Sequence, residues 1–109
     1  MSKRVYTLYK AGDLIAVGDS PMELIKWLVD MQLVDFARKE GLEYYDTNED
    51  RWESASFNEL AKRLNIKPLD LLYEVLIPGG LTTDDYQYEF DFDYQLDEET
   101  VPYVSSSPL

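Results

Sequence analysis

The 109-residue sequence contains no cysteine and no histidine. Without cysteine there are no disulfides and no thiolate metal sites. Without histidine the commonest general base and the commonest transition-metal ligand are missing. No run approaches the roughly 20 apolar residues that a membrane-spanning helix requires. The opening MSKRVYTLYK is charged and then alternating, with no apolar stretch of signal-peptide length. The expectation is a cytoplasmic protein. Basic residues are also missing from a large part of the chain: none follows Lys67. There is no GxxxxGK[ST], GxGxxG or GxSxG motif.

What is present is acid. Twenty-two Asp and Glu against ten Lys and Arg give a net charge of −12, while 45% hydrophobic and 14% aromatic residues are enough for one core. The excess lies in two blocks. Residues 1–42 and 54–83 are each balanced, residues 43–53 carry −4 and residues 84–109 carry −8. Such blocks repel nucleic acid and attract basic protein surfaces.

The C-terminal block has a period. Tyr86, Tyr88, Phe90, Phe92, Tyr94 and Leu96 occupy even positions; Asp85, Gln87, Glu89, Asp91, Asp93, Gln95 and Asp97 occupy odd ones. Strict alternation of this length is the pattern of a half-buried strand, because side chains on a strand point to opposite faces in turn. A strand over 85–96 is therefore predicted, with an aromatic core face and a carboxylate solvent face. Residues two apart on such a face lie roughly 6.6 Å apart. That is on the order of the spacing of phosphates along a nucleic-acid strand, whose axial rise is about 3.4 Å per nucleotide. The plainer reading is that acids on a solvent face serve solubility and protect an edge from aggregation.

Elsewhere, residues 4–10 and 14–17 read as a hairpin around a three-residue link, Ala11-Gly12-Asp13. Ser20-Pro21-Met22-Glu23 opens a helix by capping-box spacing, and the apolar stripe predicts that it runs over 21–40 to a stop at Gly41. Residues 42–55 fit either two strands around a turn or an irregular loop. A second capping box at Ser56 opens a helical pair over 56–76. The predicted class is α+β: one antiparallel sheet, from the N-terminal hairpin and strand 85–96, packed on a long helix 21–40 with the helical pair alongside. Residues 1–101 would form a single domain and 102–109 a flexible end.

Asp46-x-Asn48-x-Asp50 matches the start of an EF-hand calcium loop, but Arg51 and Phe57 stand where glycine and a closing glutamate belong. No metal and no cofactor are expected. Carboxylates on an exposed strand also lack the burial that separates an acid from a base, so no catalytic residue is assigned and the chain is read as a non-enzyme.

The segment FNELAKRLNIKPLDLLYEVLIPGG, Phe57 to Gly80, resembles the small helical N-terminal subdomain of bacterial translation initiation factor two and the first two helices of a helix-turn-helix. Its second helix offers Asp70 and Glu74 and no Arg, Lys, Asn or Gln to a base edge, so helix packing accounts for it better than DNA reading. The whole chain resembles, in type, the small acidic phage and mobile-element inhibitors of host defence nucleases, the anti-restriction and anti-CRISPR proteins. Size, charge, lack of cysteine and acidic element faces carry that resemblance, and those proteins share no single fold or motif. It implies DNA mimicry inside a host cell: an inhibitor occupying the groove of a basic nucleic-acid-binding protein. The partner-binding residues are then Asp84, Asp85, Glu89, Asp91, Asp93, Asp97, Glu98 and Glu99, with Glu43, Asp46, Glu49, Asp50 and Glu53 as a second contact. The alternative is a structural or regulatory interaction module, a homo-oligomer through helix 21–40, whose acidity serves solubility.

Overall fold

A computed structural model of the chain describes residues 2–77, 81–82 and 86–102. Its elements in chain order are β1 (Ser2–Lys10), β2 (Asp13–Gly18), α1 (Pro21–Asp30), β3 (Leu42–Asp46), β4 (Arg51–Ala55), α2 (Phe57–Leu64), α3 (Pro68–Leu76), β5 (Leu81–Thr82), β6 (Gln87–Asp91) and β7 (Tyr94–Pro102). The strands form two antiparallel sheets, one of three strands in the order β2-β1-β7 and one of four in the order β4-β3-β6-β5. The chain is thus α+β with two sheets and three short helices, and the single sheet on one long helix predicted from the sequence is not what forms.

The long helix 21–40 is the first correction. It begins as expected, with the Ser20 hydroxyl accepting from the Glu23 N–H at 3.2 Å and Pro21 in the first turn. It stops at Asp30. Gln32 adopts a left-handed φ of 58°, its N–H donates to the Val29 carbonyl, and the Leu33 N–H reaches back to Leu28, both at 3.0 Å. That is a Schellman stop without its usual glycine. Asp35 then accepts from the Ala37 N–H at 2.9 Å, a local turn in place of a helical bond. The apolar stripe continues past Asp30 because Val34 is buried and Phe36 packs on the core from an irregular segment.

The second correction concerns the alternating run. It is two strands: β6 lies inside the four-stranded sheet and β7 is an edge of the other. The joint is Phe92-Asp93. Two residues preserve the phase of a period-two pattern, so alternation runs unbroken through the change of sheet. Phe92 packs against Phe57 (5.7 Å between ring centroids) and Tyr94 (5.6 Å), and the Ala11 N–H donates to the Asp93 carbonyl at 2.9 Å. The hairpin link is also tighter than predicted. Lys10 pairs with Asp13 across the two residues Ala11 and Gly12, both at positive φ as a type I′ turn requires, and the bulge lies further in, at Ile15.

Residues 42–55 are a hairpin. Five pairs, Leu42 with Ala55 through Asp46 with Arg51, close the loop Thr47–Asp50. The helical pair packs as amphipathic helices do, burying Phe57, Leu60 and Ala61 from α2 and Leu71, Leu72, Val75 and Leu76 from α3. Buried residues of all three helices join Leu8, Leu42, Tyr44, Tyr88, Tyr94 and Leu96 from the two sheets in one continuous core. Pro102, within the end expected to be flexible, is the last residue of β7 and pairs with Ser2; residues 103–109 lie outside the described residues. No described helix is long and apolar enough to cross a membrane.

Candidate functional site

The face without helices carries the odd positions of the C-terminal run. Glu89, Asp91 and Asp93 are all exposed. Cross-strand register brings one member of the second acidic block beside them: Glu43 lies directly opposite Asp91, and Tyr45 opposite Glu89. On the other side of β3, Glu43 meets Ser54 and Tyr45 meets Trp52. The outer face of the four-stranded sheet therefore reads, across strands, as Trp52–Tyr45–Glu89 and Ser54–Glu43–Asp91. The described ion pairs are Lys3–Asp19, Arg4–Glu98 and Arg51–Glu53, so among the described residues Glu43, Glu89, Asp91 and Asp93 have none.

The remaining candidates are spread out. Asp97 and Glu99 share the outer face of the three-stranded sheet, where Asp97 accepts from the Gln95 amide at 3.0 Å and Glu99 from the Tyr9 hydroxyl at 3.3 Å. Glu98 projects to the opposite side, beside Tyr6, and pairs with Arg4 at 3.2 Å. Asp46 is buried and accepts from the N–H groups of Asn48 (3.0 Å) and Glu49 (3.3 Å), which makes it a turn residue. Asp50, at φ 54° in the same turn, accepts from the Tyr45 hydroxyl, and Glu49 is exposed beside it. Asp84 and Asp85 lie outside the described residues. The predicted second contact thus contributes Glu43 to the strand carboxylates, while Asp46 and Glu53 hold the hairpin.

Glu53 belongs to a polar network under the sheet. The Arg63 Nη1 donates to the Tyr44 hydroxyl at 2.8 Å, and that hydroxyl donates to Glu53 Oε2 at 3.0 Å. Burial raises the Tyr44 phenol above its ordinary range although the Arg63 guanidinium opposes this, and burial raises Tyr88 against the same guanidinium. Both phenols titrate later in the folded chain than in the unfolded one. Their contribution to stability is therefore fully present below about pH 10 and is lost as pH rises through the raised folded values. The urea midpoint should fall above about pH 10, and Tyr44→Phe should flatten that fall. A midpoint insensitive to alkali would contradict the burial of these phenols.

Two features escape sequence reading. Lys10 and Arg38 line the cleft that also holds Glu43, Asp91 and Asp93, so the ridge is not uniformly negative at its centre. Lys10 stands over the Tyr94 ring at 5.5 Å. The other is the Tyr45–Trp52 pair, with ring centroids 5.5 Å apart. A hairpin register for residues 42–55 would have revealed it. Among the described residues no group of three or more Asp, Glu, His or Cys is placed to hold a metal ion. Comparisons with protein-family models, with curated proteins and with solved structures find no match to this chain.

Proposed function

We propose that this chain is a non-enzymatic binding protein that inhibits a nucleic-acid-binding protein, a nuclease of the restriction or CRISPR kind, by setting carboxylates where phosphates would sit. The observation that carries this reading is the register of Glu43 against Asp91, with Glu89 one step along and no described cation paired to any of them. Like charges directly opposed on neighbouring strands destabilise a sheet. Solubility needs acids on the surface but gains nothing from opposing them. Their concentration on the face that no helix covers suits a basic groove.

Inhibition of such a nuclease should compete with its nucleic acid and weaken steeply between about 0.1 M and about 1 M salt, as the screening length falls from about 10 Å to about 3 Å. Inhibition equally strong at both concentrations would sink the proposal.

A second reading has its own observation. Met31 and Leu33 are exposed just after α1, an apolar end by which an interaction module would dock or self-associate. Under that reading Met31→Lys abolishes binding and salt has little effect.

A further inference from the structure

Trp52 is the most exposed large apolar side chain among the described residues, at 61%. It stands on β4, an edge strand, and its ring leans on Tyr45. Its own neighbours leave it open. The Tyr45 hydroxyl is held by Asp50, and Arg51, the residue before Trp52 in sequence, is held by Glu53 at 2.8 Å. Beside the indole lies a cleft of about 360 Å³ bordered by Glu43, Trp52, Glu53, Ser54 and Asp91. That is near the low end of the roughly 300–1,000 Å³ typical of ligand cavities, a size suited to one side chain.

The chemistry of this cleft narrows its occupant. An apolar ligand would have to desolvate the carboxylates of Glu43 and Asp91 without pairing them. A nucleotide would bring phosphate to them. A cation that also offers a flat face fits both halves of the site. A guanidinium stacks on an indole while its in-plane N–H groups fork to carboxylates, whereas an ammonium is a compact and strongly hydrated point charge. Exposed tryptophan is also a residue type that concentrates binding energy at interfaces.

We infer that this cleft takes one arginine side chain of a basic partner protein, stacked on Trp52 with its N–H groups donating to Glu43 and Asp91. The inference rests on the acidic outer face being the partner-binding surface. It adds the anchor: carboxylates along the ridge supply long-range attraction, and Trp52 selects arginine over lysine.

The test uses the intact protein titrated with oligo-arginine and oligo-lysine peptides of equal length, by calorimetry and by tryptophan fluorescence in a Trp27→Phe background. The arginine peptide should bind about tenfold more tightly and perturb the Trp52 emission. Trp52→Ala should reduce the preference to within about twofold, and Trp52→Phe should retain part of it. Because Trp52 is exposed, circular dichroism should show the alanine variant folded. Equal affinity for the two peptides in the unaltered protein, or a preference untouched by Trp52→Ala, would overturn the inference. If both peptides bind equally and salt-dependently, the acidic-face reading survives alone; if neither binds at low salt, both fail.

Discussion

Replacing Phe57 with alanine is expected to lower folding stability by about 3–5 kcal/mol, the range for emptying a buried phenylalanine site. Phe57 opens α2 immediately after its Ser56 cap and is 1% exposed. Its ring meets Phe36 edge-on at 5.8 Å and Phe92 at 5.7 Å. Phe36 belongs to the irregular connector after α1, and its carbonyl accepts from the Asn58 N–H at 2.9 Å. Phe92 is the joint at which the chain passes from one sheet to the other. One ring therefore ties a connector, a helix and the inter-sheet crossing, three segments whose contacting rings lie more than 20 residues apart in sequence. A loss of this size takes a large share of the roughly 5–15 kcal/mol a domain commands, and at about 4–8 °C per kcal/mol it should lower the melting temperature by more than about 12 °C. Phe36→Ala, at a half-buried position, should cost less. A Phe57→Ala penalty under about 1.5 kcal/mol would show that the crossing is held by something other than this ring cluster.

The sequence discloses helix beginnings better than helix ends, for a physical reason. Ser20 and Ser56 cap through side chains whose chemistry is visible in a string of letters. The end of α1 depends on Gln32 taking a left-handed φ, a conformation that its residue type does not announce. Continued burial of Val34 and Phe36 then imitates a longer helix. The C-terminal run is similar. Parity assigns each side chain from Tyr86 to Asp97 to its face, because the even positions of both strands turn to one shared core. Parity is blind to the break at Phe92-Asp93, because a two-residue joint keeps the phase. As for the site, Glu89, Asp91 and Asp93 are legible from period alone. The opposition of Glu43 to Asp91, the pairing of Trp52 with Tyr45 and the approach of Lys10 and Arg38 are products of register and tertiary packing. Only the Trp52–Tyr45 pair follows from a local element, the 42–55 hairpin; the other two join residues far apart in sequence.

Reversing the charge of Glu89, Asp91 and Asp93 together, as Glu89→Lys, Asp91→Lys and Asp93→Lys, is expected to separate binding from stability. If these carboxylates occupy phosphate positions in a basic groove, three attractions become three repulsions. Close charge pairs across interfaces are each worth about 1.5–7 kcal/mol, so affinity for the partner should fall by at least about 100-fold. Stability should move the other way or hardly at all. Lysine at 91 converts the opposition to Glu43 into an attraction, a change of about 0.2–1 kcal/mol in favour of the fold. Lysine at 89 lowers the same crowding of negative charge. Lysine at 93 gives some of this back, since Lys10 and Arg38 line the cleft there. The variant should therefore unfold in urea within about 1 kcal/mol of the original chain and lose part of the salt-induced stabilisation that screening of self-repulsion provides. A folded variant that still inhibits its partner would end the case for mimicry. A folded variant that has lost inhibition would tie the function to carboxylates that the fold itself does not need.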